Sequence, residues 1–197
     1  NPHFIFNCLN SINRYIIKSD KDTASGYVTK FSRLILLILD NSRSNEVSLE
    51  NELTALRLYI EMEQMRFDNK FSYSITIDND VNSNLVFIPP MILQPYVENA
   101  IWHGLMHIQA NGLIKISISR EDNYLICSID DNGIGRKAAQ QIEQGNNLKS
   151  KSHGLIVTGK RLSIYNDAEN DQITVIDKSD ESGKASGTKV IFKILIK

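Results

Sequence analysis

Near residue 70 the apolar residues of this 197-residue chain change period, and the change fixes the class of fold. Before that point they recur in steps of three and four. Phe4, Cys8, Ile12 and Tyr15, flanked by Ile5, Leu9 and Ile16, describe an amphipathic helix over residues 4 to 18. After a polar turn at residues 18 to 23, the spacing returns at Tyr27, Phe31, Leu34, Ile35 and Ile38. Two helices on a short polar link favour an antiparallel hairpin. A third helix is expected from Ser48, a suitable N-cap, with Glu50 and Glu52 near the positive helix end and a stripe of Leu49, Leu53, Leu56, Ile60 and Phe67.

From residue 71 to 77 apolar and polar side chains alternate strictly, as in a half-buried strand. Residues 112 to 119 alternate the same way; 124 to 130, 173 to 176 and 189 to 196 read as further strands. Residues 90 to 104 and 155 to 166 read as helices. Pro95 predicts a kink or a late start in the first of them, because proline has no N–H to donate. Helices followed by a mixed strand and helix region is the α+β order. Residues 136 to 153, rich in Gln and Asn around Gly145, lack an apolar stripe and read as a mobile lid rather than core. No internal repeat or low-complexity segment interrupts the chain.

Several short strings carry chemistry. Asn1-Pro2-His3-Phe4 offers an imidazole near a helix start, and a neutral imidazole is a competent nucleophile near neutral pH. Glu98-Asn99 supplies an amide oxygen able to serve as one ligand of Mg²⁺, which keeps most of its shell as water and phosphate. His103, four residues on, shares that helix face. Asp131-Asn132-Gly133-Ile134-Gly135 follows a strand with an acceptor suited to the exocyclic amine of adenine and glycines that admit close backbone approach. Taken singly, each has a plainer reading: a solvent-facing His, a loop-bonding Asn, a strand-ending Asp-Asn-Gly turn. Taken together, a phosphate donor site and an acceptor on one chain suggest a kinase whose substrate is itself.

In this order the motifs resemble the LytS class of sensor histidine kinases. The likeness covers residues 1 to 10, residues 89 to 104, the Asp131 to Gly135 box and Gly187-Thr188, and so runs over essentially the whole chain. It implies a helical dimerisation and phosphoacceptor segment over residues 1 to 68, then an ATP-binding GHKL (Bergerat-type) α/β sandwich with a mixed sheet over 69 to 197. It assigns His3 as phosphoacceptor and Asn99 as the Mg²⁺ ligand; helix spacing adds Asn7, one turn beyond His3, and Glu98, beside Asn99, as catalytic partners. Nucleotide binding falls to Asn99, His103, Asp131, Gly133, Gly135, Gly154, Leu155 and Thr188. It further implies ATP and Mg²⁺, a homodimer, and a response regulator, often with a LytTR-type DNA-binding domain, as the next acceptor. Three positions depart from the family pattern: Ser152 stands where a first glycine is usual, Trp102 where lysine is common, and Phe4 where many histidine kinases carry an acid. Trp102 reads as a packing residue. Lys149, Lys151, Lys160 and Arg161 are available to neutralise phosphate, though scattered surface charge is their plainer reading.

Composition sets bounds. Lys and Arg number 22 against 23 Asp and Glu, so the net charge of −1 gives no support to direct nucleic-acid binding. The longest apolar run, residues 34 to 39, falls far short of the ~20 residues of a membrane span. Cys8 and Cys127 are too few for a disulfide framework and read as reduced thiols of a cytosolic compartment. His103 and His107 sit four apart without a third zinc ligand at suitable spacing. The absent initiator methionine and the opening inside a motif suggest a soluble piece of a longer sensor, held on the cytoplasmic side of the membrane. Two rivals remain at this stage: a GHKL-type ATPase with Glu98 as base for water, and a noncatalytic nucleotide-binding or interaction module.

Overall fold

A computed structural model describes residues 2–108, 111–145, 152–167 and 173–196. Helices α1 (Pro2–Ile17) and α2 (Lys21–Ser42) form the expected hairpin, with the Asp20 side chain capping α2 by accepting from the Thr23 amide at 3.1 Å. The short strand β1 (Val47–Ser48) leads into α3 (Leu49–Arg66), whose N-cap is Ser48, its hydroxyl accepting from the Asn51 amide at 3.2 Å. The strands β2 (Phe71–Ile77), β4 (Gly112–Glu121), β5 (Tyr124–Asp131), β6 (Ile173–Ser179) and β7 (Ala185–Leu195) build one mixed sheet in the order β2-β4-β5-β7-β6. The β2 and β4 strands are parallel and the other pairs antiparallel, while β3 (Phe87–Ile88) pairs separately with β1. The fold is α+β.

The helix layer covers one face of the sheet. Ile114, Ile116 and Ile118 of β4, Leu125, Cys127 and Ile129 of β5, and Phe192 and Ile194 of β7 are buried at alternate positions, as period-two strands require. Against them lies α3, which is buried around most of its circumference. Leu49, Leu53, Leu56 and Ile60 are the stripe read from spacing, but Leu58, Tyr59, Met62 and Glu63 are buried too. A helix buried all round is packed from two sides, and the second side is the hairpin. The Tyr15 hydroxyl donates to the Met65 carbonyl at 2.7 Å, Tyr27 donates to the Met62 carbonyl at 3.4 Å, and Phe4 lies against Tyr59. On the sheet side Gln64 donates to the Phe71 carbonyl at 2.8 Å. Cys8 and Cys127 are both free and buried.

Three expectations are corrected. The helix read over residues 90 to 104 starts late, at Gln94 as α4 (Gln94–Asn99), as Pro95 in its first turn predicts, but it does not run on as an α-helix: it widens into a π-helical turn over Ala100–Gly104 before a 3₁₀ turn at Leu105–His107. The preceding turn is shaped by Glu52, which lies in the first turn of α3 as expected and points inward. Its carboxylate accepts from the Met91 amide at 2.7 Å and the Leu93 amide at 3.0 Å, holding Met91 at φ 56°. The polar segment taken for a lid is partly helical, α5 (Arg136–Gly145): Ala, Gln, Glu and Lys are strong helix formers, and Ala138, Ala139 and Ile142 make a short apolar face of which Ala139 is buried. Arg136 ties it down with a bidentate pair to Asp177, both contacts 2.7 Å. Residues 146 to 151 of that stretch lie outside the described residues. Finally, α6 (Ser152–Tyr165) starts at Ser152, so residues 152 to 155 form its first turn instead of a loop before it.

Candidate functional site

The end of β5, the π-helical turn and the start of β7 converge on Asp131. This side chain is 5% exposed, and its Oδ1 accepts from the Gly133 amide at 2.8 Å and the Thr188 amide at 3.3 Å. Burial pushes the carboxyl up to about 6, against the lowering effect of those two amides and of Lys178. Lys178 also donates to the Asp131 carbonyl at 2.9 Å, fixing the strand end from the open face of the sheet.

Glycines make the convergence sterically possible. A Cβ on Gly133 would stand 2.4 Å from the Gly104 backbone, and one on Gly104 would stand 2.9 Å from Asp131 Oδ1. The Ile134 amide donates to the Gly104 carbonyl at 3.3 Å, so the box and the π-helical turn are stitched together. Gly187, at φ 124°, brings β7 so close that a Cβ would lie 1.9 Å from the Asp131 carbonyl oxygen. Gly135 ends the box facing Ala185 at the start of β7. Sequence reasoning quoted Gly104 and Gly187 inside motifs without giving them a role; the signal was their type, since no other residue lacks a Cβ.

Asn99 is the last residue of α4, and His103 follows it in the π-helical turn; both are half-buried. The wider turn is marked by the Leu105 amide reaching back to the Ala100 carbonyl, a five-residue span that recurs at functional sites. Glu98 sits beside Asn99, and its charge helps raise the Tyr59 hydroxyl, which burial chiefly drives up. Trp102 packs against α3, edge-on to Phe67 at 5.7 Å and beneath the Arg66 guanidinium at 4.3 Å, as its reading as a packing residue expects. Asn132 anchors the box from outside, accepting from the Leu113 amide at 2.7 Å and donating to the Asn111 carbonyl at 3.2 Å.

Leu155 is half-buried against the core in the first turns of α6, and Gly154 precedes it there. Arg161 donates to the Pro90 carbonyl at 2.9 Å, which gives it a structural task, while Lys160 is exposed. Lys149 and Lys151 lie outside the described residues. His3 and Asn7 stand one turn apart on the continuous helix α1, whose first residue is Pro2. The structure therefore gathers Asp131, Gly133 and Thr188 around one carboxylate and sets Asn99 and His103 on the helical run that ends there.

Among the described residues no cluster of three or more His, Cys, Asp or Glu side chains could hold a metal unaided. A lone carboxamide at Asn99 suits Mg²⁺ arriving with phosphate, because that ion keeps most of its shell as water and substrate oxygen. No helix among the described residues is long and apolar enough to cross a membrane.

Comparison with known proteins accords with this geometry. Residues 1–71 match the histidine kinase family model. The chain is 32% identical over 167 residues to the sensor protein LytS of Staphylococcus epidermidis, covering 83% of this chain and 28% of that protein. It is 31% identical over 166 residues to the sensor histidine kinase YpdA of Escherichia coli, again covering 83% of the chain and 28% of the relative. The chain thus spans under a third of the length of these relatives. The catalytic domain of histidine kinase ThkA, in a nucleotide-free form, superposes with a TM-score of 0.50 at 16% identity, covering 77% of this chain and 98% of that domain, a likeness of fold alone. By its sequence, the chain belongs to the histidine kinase family, in the class of LytS.

Proposed function

We propose that this chain is the catalytic core of a two-component sensor histidine kinase, which phosphorylates His3 from Mg-ATP and passes the phosphoryl group to a response regulator. The observation that carries the reading is the buried Asp131 carboxyl, held open toward the site by Gly104, Gly133 and the Gly187-Thr188 pair. In this reading Asp131 accepts from the exocyclic amine of adenine, and the glycines admit the nucleotide against backbone. Asn99 would contribute one ligand to Mg²⁺, which would neutralise phosphate charge there; His103, Gly135, Gly154 and Leu155 line the remainder.

An imidazole nitrogen of His3 attacks the γ-phosphorus, the bond to the ADP oxygen breaks, and Glu98 accepts the proton the imidazolium releases. Such transfer is positioning and charge neutralisation more than covalent chemistry. The phosphoryl group then moves to an aspartate of a response regulator, of the kind that often carries a LytTR-type DNA-binding domain. We divide the chain between residues 68 and 69, after α3, which packs between the hairpin and the sheet. The hairpin leaves Phe6, Leu9, Ile16, Leu36 and Leu39 more than half exposed, apolar surface suited to a second copy of the chain. Sedimentation of a longer chain with its upstream helix should give a dimer; a monomer at high concentration would refute that assembly. Incubation with γ-labelled ATP tests the chemistry: label retained on protein marks a kinase, and label released only as phosphate marks an ATPase.

A further inference from the structure

The one tryptophan of the chain sits where three elements meet, and its surroundings are specific. Glu63 is 1% exposed and needs a cation, yet its nearest contact to Arg66 is 3.4 Å, long for a charge-assisted hydrogen bond. The ion pair alone does not fix that guanidinium. Two ring faces do: its carbon stands 4.3 Å from the Trp102 centroid and 5.0 Å from that of Phe67. Trp102 belongs to the π-helical turn between Asn99 and Gly104. On its other side lies Tyr59, whose buried hydroxyl has the Trp102 side chain beside it, close enough to ease the upward push of burial on that hydroxyl. Tyr59 in turn packs on Phe4 of α1, with centroids 5.2 Å apart.

We propose that Arg66, Trp102 and Tyr59 couple the nucleotide turn to the acceptor helix, with Arg66 as the positioning residue. The chain of contact runs from the turn carrying Asn99, through Trp102 and Tyr59 of α3, to Phe4, the neighbour of His3. Close-packed interiors transmit small displacements. A shift of the turn that rotates Trp102 must move the guanidinium off Glu63 or press Tyr59 against Phe4. A lysine at position 66 would keep the charge and lose the planar face that stacks on the indole.

The inference rests on the kinase reading for its nucleotide, and the test separates the two. The 197-residue chain is titrated with a Mg-bound, nonhydrolysable ATP analogue while the emission of Trp102 is followed, with calorimetry as an independent measure of binding. A saturable change in emission is expected. Arg66→Lys and Arg66→Met should each weaken binding about fivefold or more, and Phe4→Leu should alter Trp102 emission in the nucleotide-free chain. If Arg66→Met fails to fold by circular dichroism, Arg66→Lys decides, because it retains the charge Glu63 requires. Unchanged affinity in Arg66→Lys, or emission indifferent to both nucleotide and Phe4→Leu, overturns the coupling. If calorimetry detects no nucleotide binding in the unaltered chain, the kinase reading fails. The coupling of turn to helix then stands or falls on whether Phe4→Leu changes Trp102 emission.

Discussion

Asp131 and Thr188 lie 57 residues apart, and a hydrogen bond of 3.3 Å from the Thr188 amide to the Asp131 carboxyl carries the pairing of β5 and β7 one step beyond Asp130 and Lys189 into the site. With the Gly133 amide on the same oxygen, it leaves the other carboxyl oxygen for a ligand. The arrangement holds an acceptor in a buried place where its charge is costly.

That cost gives a pH prediction. Burial raises the Asp131 carboxyl to about 6, whereas in the unfolded chain it titrates near 3.9. Between these values the native chain keeps a proton the unfolded chain has released, so stability falls as pH climbs from ~4 to ~6, by at most ~3 kcal/mol. Asp131→Asn should remove that slope and raise the nucleotide-free melting temperature at neutral pH. It should also weaken ATP binding by the ~1.5–3 kcal/mol of a charge-assisted hydrogen bond. Melting curves across pH with parallel ATP titrations measure both; unchanged ATP affinity would make Asp131 a turn residue.

Gly187 and Gly26 form a paired test. A Cβ at Gly187 collides with the Asp131 carbonyl at a φ that L-residues avoid, whereas one at Gly26, inside α2, meets nothing within 4 Å. Gly187→Ala should destabilise by at least ~2 kcal/mol and abolish nucleotide binding. Gly26→Ala should stabilise by ~0.5–1 kcal/mol and leave the site alone. Urea unfolding reads both, and equal effects at the two positions would contradict the geometry.

Glu52 shapes the turn that launches α4, so Glu52→Ala strands the Leu93 amide in the core and the Met91 amide at its margin. At ~1–3 kcal/mol for each buried unpaired donor, the expected loss is on the order of 2–5 kcal/mol, with weaker nucleotide binding because Asn99 ends that helix. A loss below ~0.5 kcal/mol in urea unfolding would show that the turn holds its shape unaided.

Much of the architecture was legible from period: Ser48 as a cap, the alternation of β2, β4 and β5, and the delayed helix at Pro95 are local effects written in neighbouring residues. The inward turn of Glu52 was not, since its partners lie 39 and 41 residues away. Nor was α5, whose apolar face is only Ala138, Ala139 and Ile142 and whose tether to Asp177 spans 41 residues. The motifs marked which residues share a site, whereas the crowding of Gly104 on Gly133 and of Gly187 on Asp131 depends on how β5, β7 and the π-helical turn meet.

Asn7 stands one helical turn beyond His3, and its carbonyl accepts from the Ser11 hydroxyl at 3.0 Å, so the helix continues regularly past it. We propose that Asn7, on the same helix face as His3, acts on water in line with a phosphohistidine or an incoming phosphoaspartate. Asn7→Ala should keep autophosphorylation and lose dephosphorylation of the cognate regulator. Normal regulator turnover in the folded, dimeric variant would make Asn7 structural.

The central claim is that the Asn99 and Asp131 site delivers phosphate to His3. Mapping of an acid-labile, base-stable phosphate after incubation with Mg-ATP tests it most directly. Label should appear on His3, vanish in His3→Gln, and vanish in Asn99→Ala while the circular dichroism of that variant matches the unaltered chain. Label on another residue, or undiminished labelling of Asn99→Ala at limiting Mg²⁺, would contradict the account.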